Sequence, residues 1–169
     1  AKKQQPVTEN QAEGNQNEFV TLGNTSKALG VRPHVLRPSC EEYERILAAQ
    51  NDVGQMLTMI ADATAKLVEQ ILKVRSAPDK MVIAYGGAMH NDLAPREGRE
   101  SFSFGPRLKQ ATSGRYVELD IIVPEYVKDT EAWRALPWVA HYDREKLGGR
   151  AVLFNPAPGS YVLVFPATR

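Results

Sequence analysis

The chain has 169 residues, one domain's length, and its 21 Lys and Arg against 20 Asp and Glu leave a net charge of +1. That balance argues against a nucleic-acid partner held by a strong basic field, and 43% hydrophobic residues argue against a disordered chain. The single cysteine, Cys40, excludes an intrachain disulfide framework and a multi-cysteine zinc site.

Residues 1–18 are rich in Gln, Asn, Glu and Lys, with almost no large apolar side chain to offset their ordering entropy, so they read as a tail or linker. Residues 19–38 are mixed, and Pro33 and Pro38 break regular structure. The expectation is therefore a disordered or irregular segment over 1–38 and a single α/β domain over 39–169. Ser39 with Glu42 fits a capping box, and Tyr43, Ile46 and Leu47 continue it as a helical stripe. A longer helix is predicted over 53–74, where Val53, Met56, Leu57, Ile60, Ala63, Leu67, Ile71 and Val74 recur at steps of three and four. Asn51 or Asp52 is placed to cap its start, Lys73 and Arg75 suit its negative end, and Pro78 stops it.

Met81–Tyr85 (MVIAY) is short and wholly apolar, as in a strand buried on both faces, and Gly86-Gly87 ends it. Residues 91–105 read as irregular, and 107–112 as a short helix. Over 116–123 the chain alternates, Tyr116, Glu118 and Asp120 on one face and Val117, Leu119 and Ile121 on the other, which predicts a strand. Residues 129–150 form a connection. Residues 151–155 and 161–165 flank a Pro/Gly turn of five residues and predict a terminal hairpin. The fold class expected is α/β: a mixed sheet flanked by helices, with a C-terminal β-hairpin. No apolar run reaches the roughly 20 residues that cross a bilayer, so no transmembrane segment is expected.

Chemistry concentrates in Tyr85-Gly86-Gly87-Ala88-Met89-His90-Asn91-Asp92. A strand's carboxyl end is where ligands bind in open α/β sheets, and two glycines allow close approach. His90 is expected to stand there partly exposed, as a metal or haem-iron ligand, as a general base, or simply as a turn histidine, with Asp92 placed to orient its ring. Glu118 and Asp120 read either as paired carboxylates or as a solvated or salt-bridged face. Arg96, Arg99 and Arg107 flank the His90 loop, as anion ligands or as solvated surface. Trp133, Trp138 and Tyr142 read as the wall of a flat ligand or as core packing. Cys40 reads as structural or incidental.

The run VIAYGGAMHNDL, with Gly87-Ala88-Met89-His90 after an apolar stretch, resembles the C-terminal GxxH motif of the ChaN-like haem-binding uptake family, within the Tiki/TraB/erythromycin-esterase superfamily. The upstream helix with Asn51-Asp52 and Met56, and the later SFGPRL and YVELDIIVPE segments, are similar to C-terminal parts of ChaN-like lipoproteins of the bacterial envelope; the resemblance spans about 39–169. It implies haem, or a transition metal, held at His90 with Tyr85 and Asp92 beside it. Gly86, Gly87, Asn91, Arg96, Arg99 and Arg107 would line the ligand. It also implies a role in iron uptake and a place in the envelope or periplasm; composition leaves the cytoplasm open. The family's first motif, GExH, is not present: neither His34 nor His141 follows that pattern. This implies a missing N-terminal half, or a homodimer that completes the pocket. Because the superfamily includes hydrolases, the alternatives are a metal-dependent or histidine-based hydrolase, with Glu118 or Asp120 assisting His90, and a non-catalytic interaction domain.

Overall fold

A computed structural model describes residues 18–36, 38–49, 52–75, 80–147 and 149–168. The chain divides into two units, Ala1–Arg37 and Pro38–Arg169. The expected tail, apart from Glu18, lies outside the described residues, as do Asn51 and Pro78.

In the first unit, Glu18–Ala28 is a helix, α1, inside a stretch read as irregular from sequence. Val20 and Leu22 stay exposed, so no buried stripe marks it. It ends in a Schellman turn. The Val31 N–H donates to the Ser26 carbonyl and the Gly30 N–H to that of Lys27, with Gly30 at φ 77° where a side chain would be strained.

The second unit opens with α2, Cys40–Leu47, started by the predicted capping box. Ser39 Oγ accepts from the Glu42 N–H at 3.1 Å, and Glu42 Oε2 accepts from the Ser39 N–H at 2.8 Å. Cys40, its first residue, is exposed. Next comes α3, Asp52–Val74. Its buried line is not the predicted stripe of large residues: Ala61, Ala65 and Val68 are buried, Leu67 is half-buried, and Val53 and Val74 are exposed. Small residues let α5, Gly105–Ala111, pack closely, and Phe104 and Leu108 close a cluster with Ala65 and Val68. Arg107 on α5 clamps α3 from outside, donating to both carboxylate oxygens of Glu69 at 2.7 and 2.8 Å and to Asp62 at 2.8 Å.

Met81–Tyr85 is not a strand. Residues 81–87 belong to no helix or ladder. Val82 and Ala84 pack against the α3/α5 cluster, but Met81, Ile83 and Tyr85 are 82%, 73% and 74% exposed. The alternation is that of a strand, yet no neighbouring strand pairs with it among the described residues.

The sheet has three strands, β1 (Glu118–Ile122), β2 (Val152–Ala157) and β3 (Ser160–Val164), in the order β1-β3-β2. β1 runs parallel to β3 and β2 antiparallel to it, so the sheet is mixed and ends in the expected hairpin. The hairpin turn is shorter than the five residues predicted. β2 runs on to Ala157 across an irregularity after Phe154, leaving Pro158-Gly159, with Gly159 at φ 83°. One face of β3 buries Val162 and Val164 against Trp138, with Ile122, Trp133, Tyr142 and Phe154 around it. Trp133 and Tyr142 meet Trp138 edge-on, at 6.1 and 5.9 Å between ring centroids. These aromatics are core packing. Among the described residues no helix is long and apolar enough to cross a membrane.

Candidate functional site

The polar face of β1 is the one that turns inward. Val117, Leu119, Ile121 and Val123 are exposed, whereas Glu118 is buried and Tyr116 and Asp120 are half-buried. The polar side chains turn inward because the segment after Gly87 provides partners for them. Gly87 caps a one-turn helix, α4, Ala88–Asn91, and the chain then runs along β1. Glu118 Oε2 accepts from the Leu93 N–H at 2.9 Å, Asp120 Oδ1 accepts from Asn91 Nδ2 at 3.2 Å, and the Tyr116 hydroxyl donates to the Asn91 carbonyl at 2.9 Å.

His90 is buried, 9% exposed, rather than standing partly exposed at the end of a strand. Its Nδ1 lies 2.8 Å from the Phe102 carbonyl, which only accepts, so Nδ1 carries a proton, and in the neutral ring Nε2 keeps the lone pair. Among the described residues Nε2 has no hydrogen-bond partner. The backbone around the ring is fastened too. The His90 carbonyl accepts from the Phe104 N–H at 2.8 Å, and Ser103 Oγ donates to the Asp92 carbonyl at 2.6 Å while accepting from the Gly105 N–H at 3.0 Å. Gly105 is required here: a Cβ would meet the Asp92 carbonyl oxygen and lie 2.6 Å from that of Asn91.

Burial pushes the Glu118 carboxyl above the usual carboxylate range, and the charges of Asp120 and Asp92 push the same way against the lowering effect of the Leu93 N–H. Burial raises Asp120 as well, opposed by its bond from Asn91, and raises Tyr116 so that its phenol stays protonated. Asn91 Oδ1 is buried without a partner, which leaves an acceptor open among these carboxylates.

The other expected site residues fall as follows. Asp92 Oδ1 accepts from the Ala94 N–H at 2.8 Å, closing the turn after His90. Gly86 and Gly87 are exposed with nothing within 4 Å of an added Cβ, so neither makes a close approach. Tyr85 is exposed, as are Arg96 and Arg99 in the following loop, while Arg107 is engaged with α3. Nothing in the sequence pattern marks Tyr116 or Ser103 as site residues. A Gly-Pro pair opening a helix is the one trace of the close contact at Gly105. No three His, Cys, Asp or Glu side chains converge as a metal cage among the described residues.

No family model, no curated protein and no solved structure matches the chain.

Proposed function

We propose that the domain binds haem through His90, as in the ChaN-like family its sequence resembles. The observation that carries this reading is the Nδ1–H···O=C bond to Phe102, which fixes the tautomer and orients Nε2 as a free lone pair. The donor set favours haem over a bare transition metal. A protein cage needs three or more converging side chains, and none is found among the described residues, whereas haem iron needs one axial imidazole. A bare metal at His90 takes its other donors from outside the chain. Arg96 and Arg99, exposed in the following loop, suit the haem carboxylates. With this reading go a role in iron uptake and a place in the bacterial envelope or periplasm.

Titration of the protein with haemin tests it. His90→Asn is the informative variant, because its amide can still donate to the Phe102 carbonyl from the Nδ1 position while Nε2 is lost. The expected result is a Soret shift in the parent protein and at least tenfold weaker binding in His90→Asn, about 1.4 kcal/mol. His34→Ala and His141→Ala should bind as the parent does. Equal affinity across all four proteins overturns the reading.

Glu118 and Asp120 favour a second reading, a hydrolase. Carboxyls whose hold on a proton is strengthened by burial suit a general acid. Ester or amide hydrolysis lost in Asp120→Asn, with no haemin response in the parent, would select it.

A further inference from the structure

Residues 81–86 are an unpaired stretch of backbone in the second unit. Among the described residues none of their N–H or C=O groups bonds to backbone or side chain. A row of unpaired groups on an alternating apolar segment is a template for strand addition. The inward side chains, Val82 and Ala84, are already seated on the α3/α5 cluster, so the segment's position is set. What is open is its edge and its outer row, Met81, Ile83 and Tyr85.

We propose that residues 80–86 pair antiparallel with the same residues of a second copy of this chain. The unpaired backbone calls for an extended polypeptide, since a lipid or small ligand cannot satisfy a run of alternating donors and acceptors. The side chains favour a copy. About Ile83 as the two-fold centre, Ile83 meets Ile83, Met81 meets Tyr85 and Val82 meets Ala84. Lys80, the segment's one charge, falls opposite Gly86, so no like charges meet. Met81 against Tyr85 is a sulfur–aromatic pair. Pairing covers the edge of one short segment and brings the outer side chains into cross-strand contact, well short of the roughly 1,000 Å² at which a specific interface begins. The dimer is therefore weak and reversible.

Sedimentation of the full chain over a concentration series tests this without any ligand, so its outcome is independent of the His90 reading. The parent protein should show a monomer–dimer equilibrium, and Ile83→Lys should weaken it at least tenfold. Leu153→Lys, at an exposed apolar position on β2, should leave it unchanged. In the dimer, alternate amides of 81–85 should exchange slowly, and the protection should vanish in Ile83→Lys. If Ile83→Lys fails to fold, Met81→Lys gives the same reading from the end of the row. A parent protein that stays monomeric throughout, or a dimer that neither Ile83→Lys nor Met81→Lys weakens, overturns the proposal.

Discussion

Along one face of β1 the two halves of a single short strand do opposite things. At its start Glu118 and Asp120 turn inward, and the chain at Asn91 and Leu93 meets them with donors. At its end Ile122 turns inward with Val162 and Val164 onto the Trp138 cluster. The apolar half is held by burial, which is non-directional and tolerant of small shifts. The polar half is held by a few directional bonds in which each partner must be in place, and it retains one unpaired acceptor, Asn91 Oδ1. Stability is concentrated in one half and chemical potential in the other.

Substitutions that act on one half at a time break or sharpen this contrast. Trp138→Ala should be the most damaging, at about 3–5 kcal/mol, because the ring is buried and no neighbour can refill its volume. Denaturant unfolding measures it, and a loss below 1 kcal/mol would mean that the aromatic cluster does not anchor the sheet. Gly105→Ala comes next. Its new methyl group collides with the backbone of Asn91 and Asp92, an overpacking cost of about 1–3 kcal/mol. Chemical shifts of 90–94 and 116–120 should move while those of Trp133 and Trp138 stay; the opposite pattern would show that the two halves are not separable. Arg107→Ala removes a bridge to Glu69 and Asp62 that lies outside both halves and is 40% exposed, so the loss should stay below about 1 kcal/mol and shrink in high salt.

Glu118→Gln should have the smallest effect, and the most diagnostic. The folded carboxyl titrates above its ordinary value of 4.5, so the folded state favours the protonated form. That contribution is fully present below pH 4.5 and is lost as the pH rises through the folded value. Glutamine keeps an acceptor for the Leu93 N–H and never ionises. The variant should therefore match the parent in acid and gain on it as the pH climbs. Thermal melts across pH 4–8 check the sign, and a variant that loses ground with rising pH would show Glu118 to be a stabilised anion.

Much of this fold is legible from neighbouring residues alone. The Ser39–Glu42 box, the long helix through residue 74 and the terminal hairpin each depend on residues a few positions apart, and local pattern carries them. Met81–Tyr85 was misread because a strand requires a neighbour, and five apolar residues cannot say whether one is supplied. The inward face of β1 is not legible from its pattern for a related reason. Alternation separates two faces but does not say which is inward, and here Asn91 and Leu93, more than twenty residues away, decide it. The site was half visible. Two glycines and a histidine mark the segment, whereas the pairing of His90 with Phe102, of Tyr116 with Asn91 and the closeness at Gly105 arise only when distant loops meet. Arg107 reads as a free anion ligand or surface residue because its carboxylate partners lie on a helix 38 and 45 residues earlier.

The parallel pairing of β1 with β3 also sets an order of events. β2 and β3 are joined by Pro158-Gly159 and can zip within microseconds, as hairpins do. β1 reaches β3 only when Glu118 finds Ser160 across a long connection that itself includes β2, a closure that contributes no contacts until it is complete. The strand that carries Glu118 and Asp120 is thus the last to join its sheet. Pulse-labelled amide exchange during refolding should record protection of the β2–β3 amides before those of β1.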